Sequence, residues 1–486
     1  MAFPEWVEKQ KRRGHEIKCI RGQYYMYELK SKWDPKRGKA KKVSGEYIGK
    51  VTPDGVIPKK KKIDADAPVY ALECGATAFV SSIAGDILEA LRRHFSESVA
   101  ERVFTAAMLR LISPCPFSRV GDRYETSWMS RALPGLALSP PSITGLLDAI
   151  GGDRAACAAF MRETMGASPY YLIDGSRAVS ASDGILRAEP GHSKTHGFLP
   201  QLNQVYIIAV SKDGSAPAFY RNVAGNIPDV SALELTLQDA KIKGATFIGD
   251  TGFGSGDNFA ALMESGLDYI VALKRNTSEA DLGAIGFEDV FAFHHRAIWA
   301  HSESKDGYRI CVFRDEKLKS EEMTDFVERA EKANAAAAAK KQPVPNAPRD
   351  VPAETAAKMA EFGAIVMRTS LMDAPLKDIY EAYKTRWEIE QFFDTMRNVC
   401  ENDTSYMHDD AGFEAWSFIG HITMMAACRI LALLRGKKIS QQWSLRGVLD
   451  HLSRIYAVQV ADEWKIAETT KKTRELVAKL GFVLPT

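Results

Sequence analysis

The 486-residue sequence is poor in the features that mark secreted, zinc-bound and membrane-spanning proteins. Its seven cysteines (Cys19, Cys74, Cys115, Cys157, Cys311, Cys400 and Cys428) are odd in number and widely spaced, and no C-x-x-C pair occurs. That pattern speaks against a disulfide framework and a zinc site, and it predicts reduced thiols in a cytoplasmic compartment. No apolar signal-peptide core follows the start, MAFPEWVEKQKRRG. The best membrane candidate, residues 418–434, carries His421 and Arg429 and is short for a span. It predicts a buried helix, with no membrane partner. No Ser–His–Asp or Cys–His pattern offers a nucleophile.

What is present is an ordinary soluble composition, 45% apolar and 26% charged. The length predicts about two to four domains. A net charge of +2 conceals an asymmetry. Residues 1–62 hold 18 Lys or Arg against 7 Asp or Glu, a balance of +11, which leaves −9 for the remainder. A basic arm on a mildly acidic body suits a polyanion such as nucleic acid, although a solvated tail has the same composition.

Residues 1–66 predict a basic, β-rich DNA-binding module. QYYMYELKSKW and GEYIGKV form its strands, DPKRGKAKK is a basic loop, and KKKK at 59–62 is a linker. Residues 67–166 predict a helical domain for DNA binding or dimerisation, with apolar residues at three- and four-residue steps and Ser142 as an N-cap. Residues 167–275 change texture. YYLIDGS, QVYIIAVS and APAFYRNV read as strands, SALELTLQDAKIKG as a helix, and ATFIGD as a further strand. Residues 276–361 predict a β-rich insertion with an Ala-rich helix and a Pro-rich linker. Residues 362–430 return to core strand and helix, and 431–486 predict a helical C-terminal region.

Three acids draw attention. Asp174 and Asp250 stand at the predicted ends of two strands. Glu390 lies in YKTRWEIEQFFDTMR, residues 383–397, which lacks Gly and Pro and predicts one helix. Tyr383, Arg386, Glu390 and Arg397 are three, four and seven residues apart, which puts them on one helical face. Glu390 between two arginines fits an ion-pair network or a metal ligand whose arginines meet phosphates. Asp174 and Asp250 fit turn and cap roles equally well when taken singly. Together the three are hard oxygen donors suited to Mg²⁺ or Mn²⁺. Two cations about 3.5–4 Å apart could activate water and stabilise a leaving oxygen in attack on a phosphodiester. Gly252, Gly254 and Gly256 have the wrong spacing for a dinucleotide loop and suit a tight turn past the acids.

These motifs resemble the DDE transposases of bacterial insertion sequences, in the branch with a Y-x2-R-x3-E-x6-K signature. The match reads Tyr383, Arg386 and Glu390, with Arg397 where the family has Lys. LIDGS and IGDTGFGS carry the other two acids. GNIPD at 225–229, GHSKTHG at 191–197 and the stretch YELKSKWDPKRGKAKKVSGEYIGKV are also similar to this branch. The resemblance implies a multidomain α/β protein with an RNase H-like mixed-sheet core, in which Asp174, Asp250 and Glu390 are catalytic and bind two Mg²⁺. It implies cleavage at terminal inverted repeats, joining of the ends to target DNA, and a homodimer in the end-paired complex. Tyr383, Arg386, Arg397 and Lys194 would contact DNA, since arginine grips phosphate through a bidentate fork. The rival expectations are a nuclease or recombinase without strand transfer, and a non-enzymatic DNA-binding protein.

Overall fold

The structure, a computed structural model, describes residues 3–35, 37–59, 70–180, 182–193, 197–211, 214–225, 229–339, 349–400, 405–460 and 463–485. Lys194, most of GNIPD, most of the 59–62 linker and most of the Pro-rich linker lie outside the described residues. Contacts gather the chain into two compact units, Met1–Tyr70 with Gln459–Glu463, and Ala71–Val458 with Trp464–Thr486.

The smaller unit is a four-stranded antiparallel sheet, β1 (His15–Ile20), β2 (Gln23–Asp34), β3 (Lys39–Thr52) and β4 (Gly55–Pro58), in that order. Period-two alternation sends Ile17, Met26 and Val51 to one face, where Val7 of the Glu5–Glu8 helix completes a small core with Phe3, Trp6 and Tyr24. The basic stretch expected as a loop is instead the tip of a long hairpin, because β2 and β3 pair out to Asp34 and Lys39.

In the larger unit, strand β5 (Tyr70–Glu73) leads into the helices Gly75–His94 and Glu97–Ile112. The helix Pro140–Gly151 begins one turn earlier than Ser142 suggested. Pro140 takes the first helical position, where its missing N–H is harmless, so Ser139 precedes the helix and Ser142 lies inside its first turn.

The central sheet holds ten strands: β6 (Tyr170–Val179), β7 (Glu189–Ser193), β8 (Gly197–Ser211), β9 (Gly214–Ala224), β10 (Thr246–Gly249), β11 (Asp268–Leu273), β12 (Asp289–Phe293), β13 (Arg296–Lys305), β14 (Tyr308–Asp315) and β15 (Ala364–Thr369). The run β9-β8-β6 is antiparallel, and β10 lies parallel between β6 and β11. This is the RNase H-like order that the resemblance implied, in a mixed α/β architecture. The insertion does not make a sheet of its own. Strands β12, β13 and β14 extend the same sheet, and β15 sits between β14 and β11. The Ala-rich stretch is the second half of a 24-residue helix, Glu316–Ala339.

Helix Asp410–Gly436 is the apolar axis of this unit. It is the one described helix long and apolar enough to cross a membrane, and 78% of its most apolar window is buried. Helix Pro140–Gly151 approaches it so closely that a Cβ on Gly151 would strike the carbonyl of Ala411. A buried polar network ties this helix to the sheet. Gln204 Nε2 and Asn222 Nδ2 each donate to Ser417 Oγ at 2.9 Å, and Asn222 Nδ2 also donates to Glu414. The C-terminal region, expected to be helical, also contains β16 (Tyr456–Val460) and β17 (Glu463–Ile466), which form a three-stranded sheet in the order β17-β16-β5.

Candidate active site

Asp174 is not at a strand end. It is the fifth residue of β6, which runs on to Val179 because its antiparallel pairing with β8 continues that far. The parallel pairing of β6 with β10 stops at Leu172, so Asp174 lies just past the point where the two strands part. Asp250 follows β10 directly and caps the short 3-10 turn Thr251–Phe253, its Oδ1 accepting from Gly252 N–H at 2.8 Å. Two adjacent parallel strands thus deliver both aspartates to one end of the sheet. They border a cleft of about 150 Å³ with Ser176, Asn203 and Phe253.

The segment expected as one helix is two, Leu376–Lys384 and Trp387–Asn398. Between them Thr385 Oγ1 donates to Ala382 O at 2.6 Å, and the backbone closes three-residue bonds from Arg386 N to Tyr383 O and from Ile389 N to Arg386 O. A β-branched residue whose hydroxyl takes a backbone carbonyl disturbs the helical ladder without any Gly or Pro. Tyr383 and Glu390 therefore lie on different helices, joined at Arg386.

Arg386 meets the aspartates. Its Nη2 lies 3.3 Å from Asp250 Oδ2 and 3.9 Å from Asp174 Oδ2. Each aspartate has its other oxygen occupied by the backbone, Asp174 Oδ1 by Gly175 N–H at 2.8 Å and Asp250 Oδ1 by Gly252 N–H. Burial pushes the Asp174 carboxyl up to about 6, and the neighbouring charges of Asp250 and Glu390 push the same way, against the Gly175 N–H and Arg386. Burial also raises the Tyr383 phenol, which is hydrogen-bonded to Arg386 and feels the charges of Asp250 and Glu390. Glu390 itself is exposed on the Trp387–Asn398 helix. Arg397 is exposed in the last turn of that helix, its guanidinium 5.8 Å from the centre of the Phe393 ring.

The structure therefore brings together Asp174, Asp250 and Arg386, with Tyr383 and Glu390 inside their electrostatic reach. Arg397 does not border the cleft, and Lys194 lies outside the described residues. Among the described residues, no three His, Cys, Asp or Glu side chains converge closely enough to enclose a metal ion. The Arg386 guanidinium supplies the positive charge beside the two aspartates. The donor set still fits a divalent cation. It consists of hard carboxylate oxygens, and among the described residues the Oδ2 atom of each aspartate meets this arginine alone.

One participant escaped the sequence. Asn203 borders the cleft opposite Arg177 in the β6–β8 register, and its only signal was a polar residue in an apolar strand. Glu388, two residues from Glu390, is buried, accepts from Ser215 Oγ at 3.0 Å and pairs with Arg435 at 3.3 Å. It anchors the face of the helix turned away from the cleft.

Residues 190–426 match the model of the transposase DDE domain family, a span that contains Asp250 and Glu390 and begins after Asp174. Among solved structures the chain is similar to the cryo-EM structure of a piggyBac transposase synaptic complex with hairpin DNA. The identity is 10% and the TM-score 0.40, over 86% of this chain and 88% of that chain. No curated protein matches it. By the family match, residues 190–426, just under half of the chain, are similar to the transposase DDE domain.

Proposed function

We propose that this chain is a cut-and-paste DNA transposase that cleaves at the terminal inverted repeats of an insertion sequence and joins the ends to target DNA. The observation that carries the proposal is the meeting of Asp174 and Asp250, 76 positions apart in sequence, at one guanidinium on the segment that also bears Glu390. Asp174, Asp250 and Glu390 would hold two divalent cations, Mg²⁺ or Mn²⁺. Such ions activate the attacking oxygen and stabilise the leaving one in phosphodiester transfer.

The chain's own groups set up the rest. Backbone N–H groups of Gly175 and Gly252 fix one oxygen of each aspartate, so the other oxygens share a direction. Arg386 keeps two like charges together in the free protein. Its Nε–H is buried without a partner among the described residues, which leaves donor capacity for a phosphate oxygen. Tyr383 would position Arg386, and Arg397, keeping the positive charge of the family lysine, would meet DNA further along the helix. Two copies of the chain would hold the two ends of the element.

The test is metal-dependent cleavage of DNA carrying the element ends. Asp174→Asn, Asp250→Asn and Glu390→Gln should each abolish cleavage and leave DNA binding in place. Full cleavage by any of them removes that residue from the site. Supplying a free 3′-hydroxyl end and a target plasmid completes the test, because efficient cleavage without joined product would make the chain a nuclease.

A further inference from the structure

The small N-terminal sheet has two faces, and only one is needed for its core. Ile17, Met26 and Val51 turn toward the Glu5–Glu8 helix. On the other face the β1–β2–β3 register aligns Lys18, Tyr25 and Lys50 in one row, and Glu16, Tyr27 and Tyr47 in the next. A bulge that skips Ile48 in the β2–β3 register keeps Tyr47 opposite Tyr27. The three phenol rings converge, with Tyr47 centred 5.9 Å from Tyr25 and 5.4 Å from Tyr27. They are inclined at 62° and 52°, so no two of them stack flat on each other. With Ile20, Arg21 and Gln23 they line a concavity of about 610 Å³, within the range of small-ligand sites.

The chemistry around this concavity selects its occupant. Lys18 lies over the Tyr27 ring at 5.4 Å, and Arg21 and Lys50 bring two more cations. Glu16 is the one acid in the two rows, and Lys18 and Ser44 hold it. Residues 1–62 carry +11 overall. Aromatic faces among cations suit a polyanion with flat apolar rings. A duplex hides its base faces inside the stack, whereas an unpaired nucleotide offers them.

We propose that this tyrosine face binds unpaired nucleotides of single-stranded DNA, with bases stacked on Tyr25, Tyr27 and Tyr47 and phosphates met by Lys18, Arg21 and Lys50. The choice of DNA rests on the transposase reading. The binding itself needs neither the acid cleft nor a metal.

The test uses the full chain without divalent metal and follows a fluorescent oligothymidine by anisotropy, beside a blunt duplex of equal length. Tyr27→Ala and Tyr47→Ala should each weaken oligothymidine binding about tenfold or more, as loss of a stacking ring does, with duplex binding unchanged. Tyr27→Phe and Tyr47→Phe, which keep the ring, should bind within about twofold of the unaltered chain. Unchanged binding by the alanine variants overturns the proposal, and so does an equal loss in the phenylalanine variants. Tighter binding of oligouridine than of oligothymidine overturns the assignment to DNA.

A second measurement needs no substitution. Bound oligothymidine should protect Tyr25, Tyr27 and Tyr47 from nitration, read by mass spectrometry, and unchanged nitration overturns the proposal. Asp174→Asn protein separates the two readings. It should bind oligothymidine as the unaltered chain does, while its cleavage reports on the acid cleft alone.

Discussion

Acid should loosen the larger unit through a single histidine. His421 is fully buried in helix Asp410–Gly436, and among the described residues neither ring nitrogen has a hydrogen-bond partner. The Tyr220 ring lies 5.6 Å away, and the Arg154 guanidinium sits over that ring at 5.2 Å. Burial, reinforced by Arg154, depresses the imidazole from its ordinary 6.5 to about 3. A base depressed by folding is carried neutral in the native state, so its contribution is fully present above pH 6.5 and is lost as pH falls toward 3. The whole window is worth about 5 kcal/mol, and the part between pH 7.5 and 5 about 2 kcal/mol. His421→Leu removes the titrating group at similar volume. Urea midpoints of both proteins at pH 7.5 and pH 5 measure the difference of differences. The unaltered chain should lose about 2 kcal/mol more than the variant on acidification. Equal losses would show that His421 finds a proton acceptor in the fold, and the reasoning would fail.

Two further outcomes follow from the cleft and its support. The Asp174 carboxyl, raised from 3.8 to about 6, carries a penalty that is absent below pH 3.8, grows to pH 6 and persists above it. Without metal, Asp174→Asn should therefore be more stable than the unaltered chain at pH 8, by up to about 3 kcal/mol, and equal to it near pH 3.5. A variant no more stable at pH 8 in a urea melt contradicts this. Arg435→Ala strips Glu388 of its cation and leaves a buried carboxylate with Ser215 alone. It should cost about 2 kcal/mol, with Arg435→Lys milder, and should slow cleavage because Glu390 rides the same helix. An unchanged melting midpoint would mean that Glu388 is served by water.

Local patterns carried much of this structure, and distant ones did not. The strands YYLIDGS and ATFIGD, the buried helix over 418–434 and the Ala-rich helix were legible because period and composition are local properties. Where β6 stops was not legible, since its length is set by β8, a partner reached only after the β7 hairpin. The membership of β12, β13 and β14 in the central sheet was equally hidden, because it depends on β15 lying between β14 and β11. In the candidate site the two aspartates and Arg386 were visible as residue types at suggestive places. The break at Thr385 was not, because its cause is one hydroxyl choosing one carbonyl. The Glu388–Arg435 pair joins positions 47 apart and has no sequence signature.

Strand β15 has a consequence for how the protein is made. It is the one strand that bonds to both β11 and β14, so each of these presents an unpaired edge until residues 364–369 leave the ribosome. At ordinary synthesis rates, the 216 positions from Asp174 to Glu390 take about 10–40 s to emerge. Late in that interval, once β14 has emerged, the nascent chain holds both aspartates and two open sheet edges and still lacks Arg386. A product that stops before β15 would be a sticky fragment, and one that passes it closes the sheet and brings in the Trp387–Asn398 helix within a few dozen residues. Assembly of the cleft and sealing of the sheet are thus the same late event.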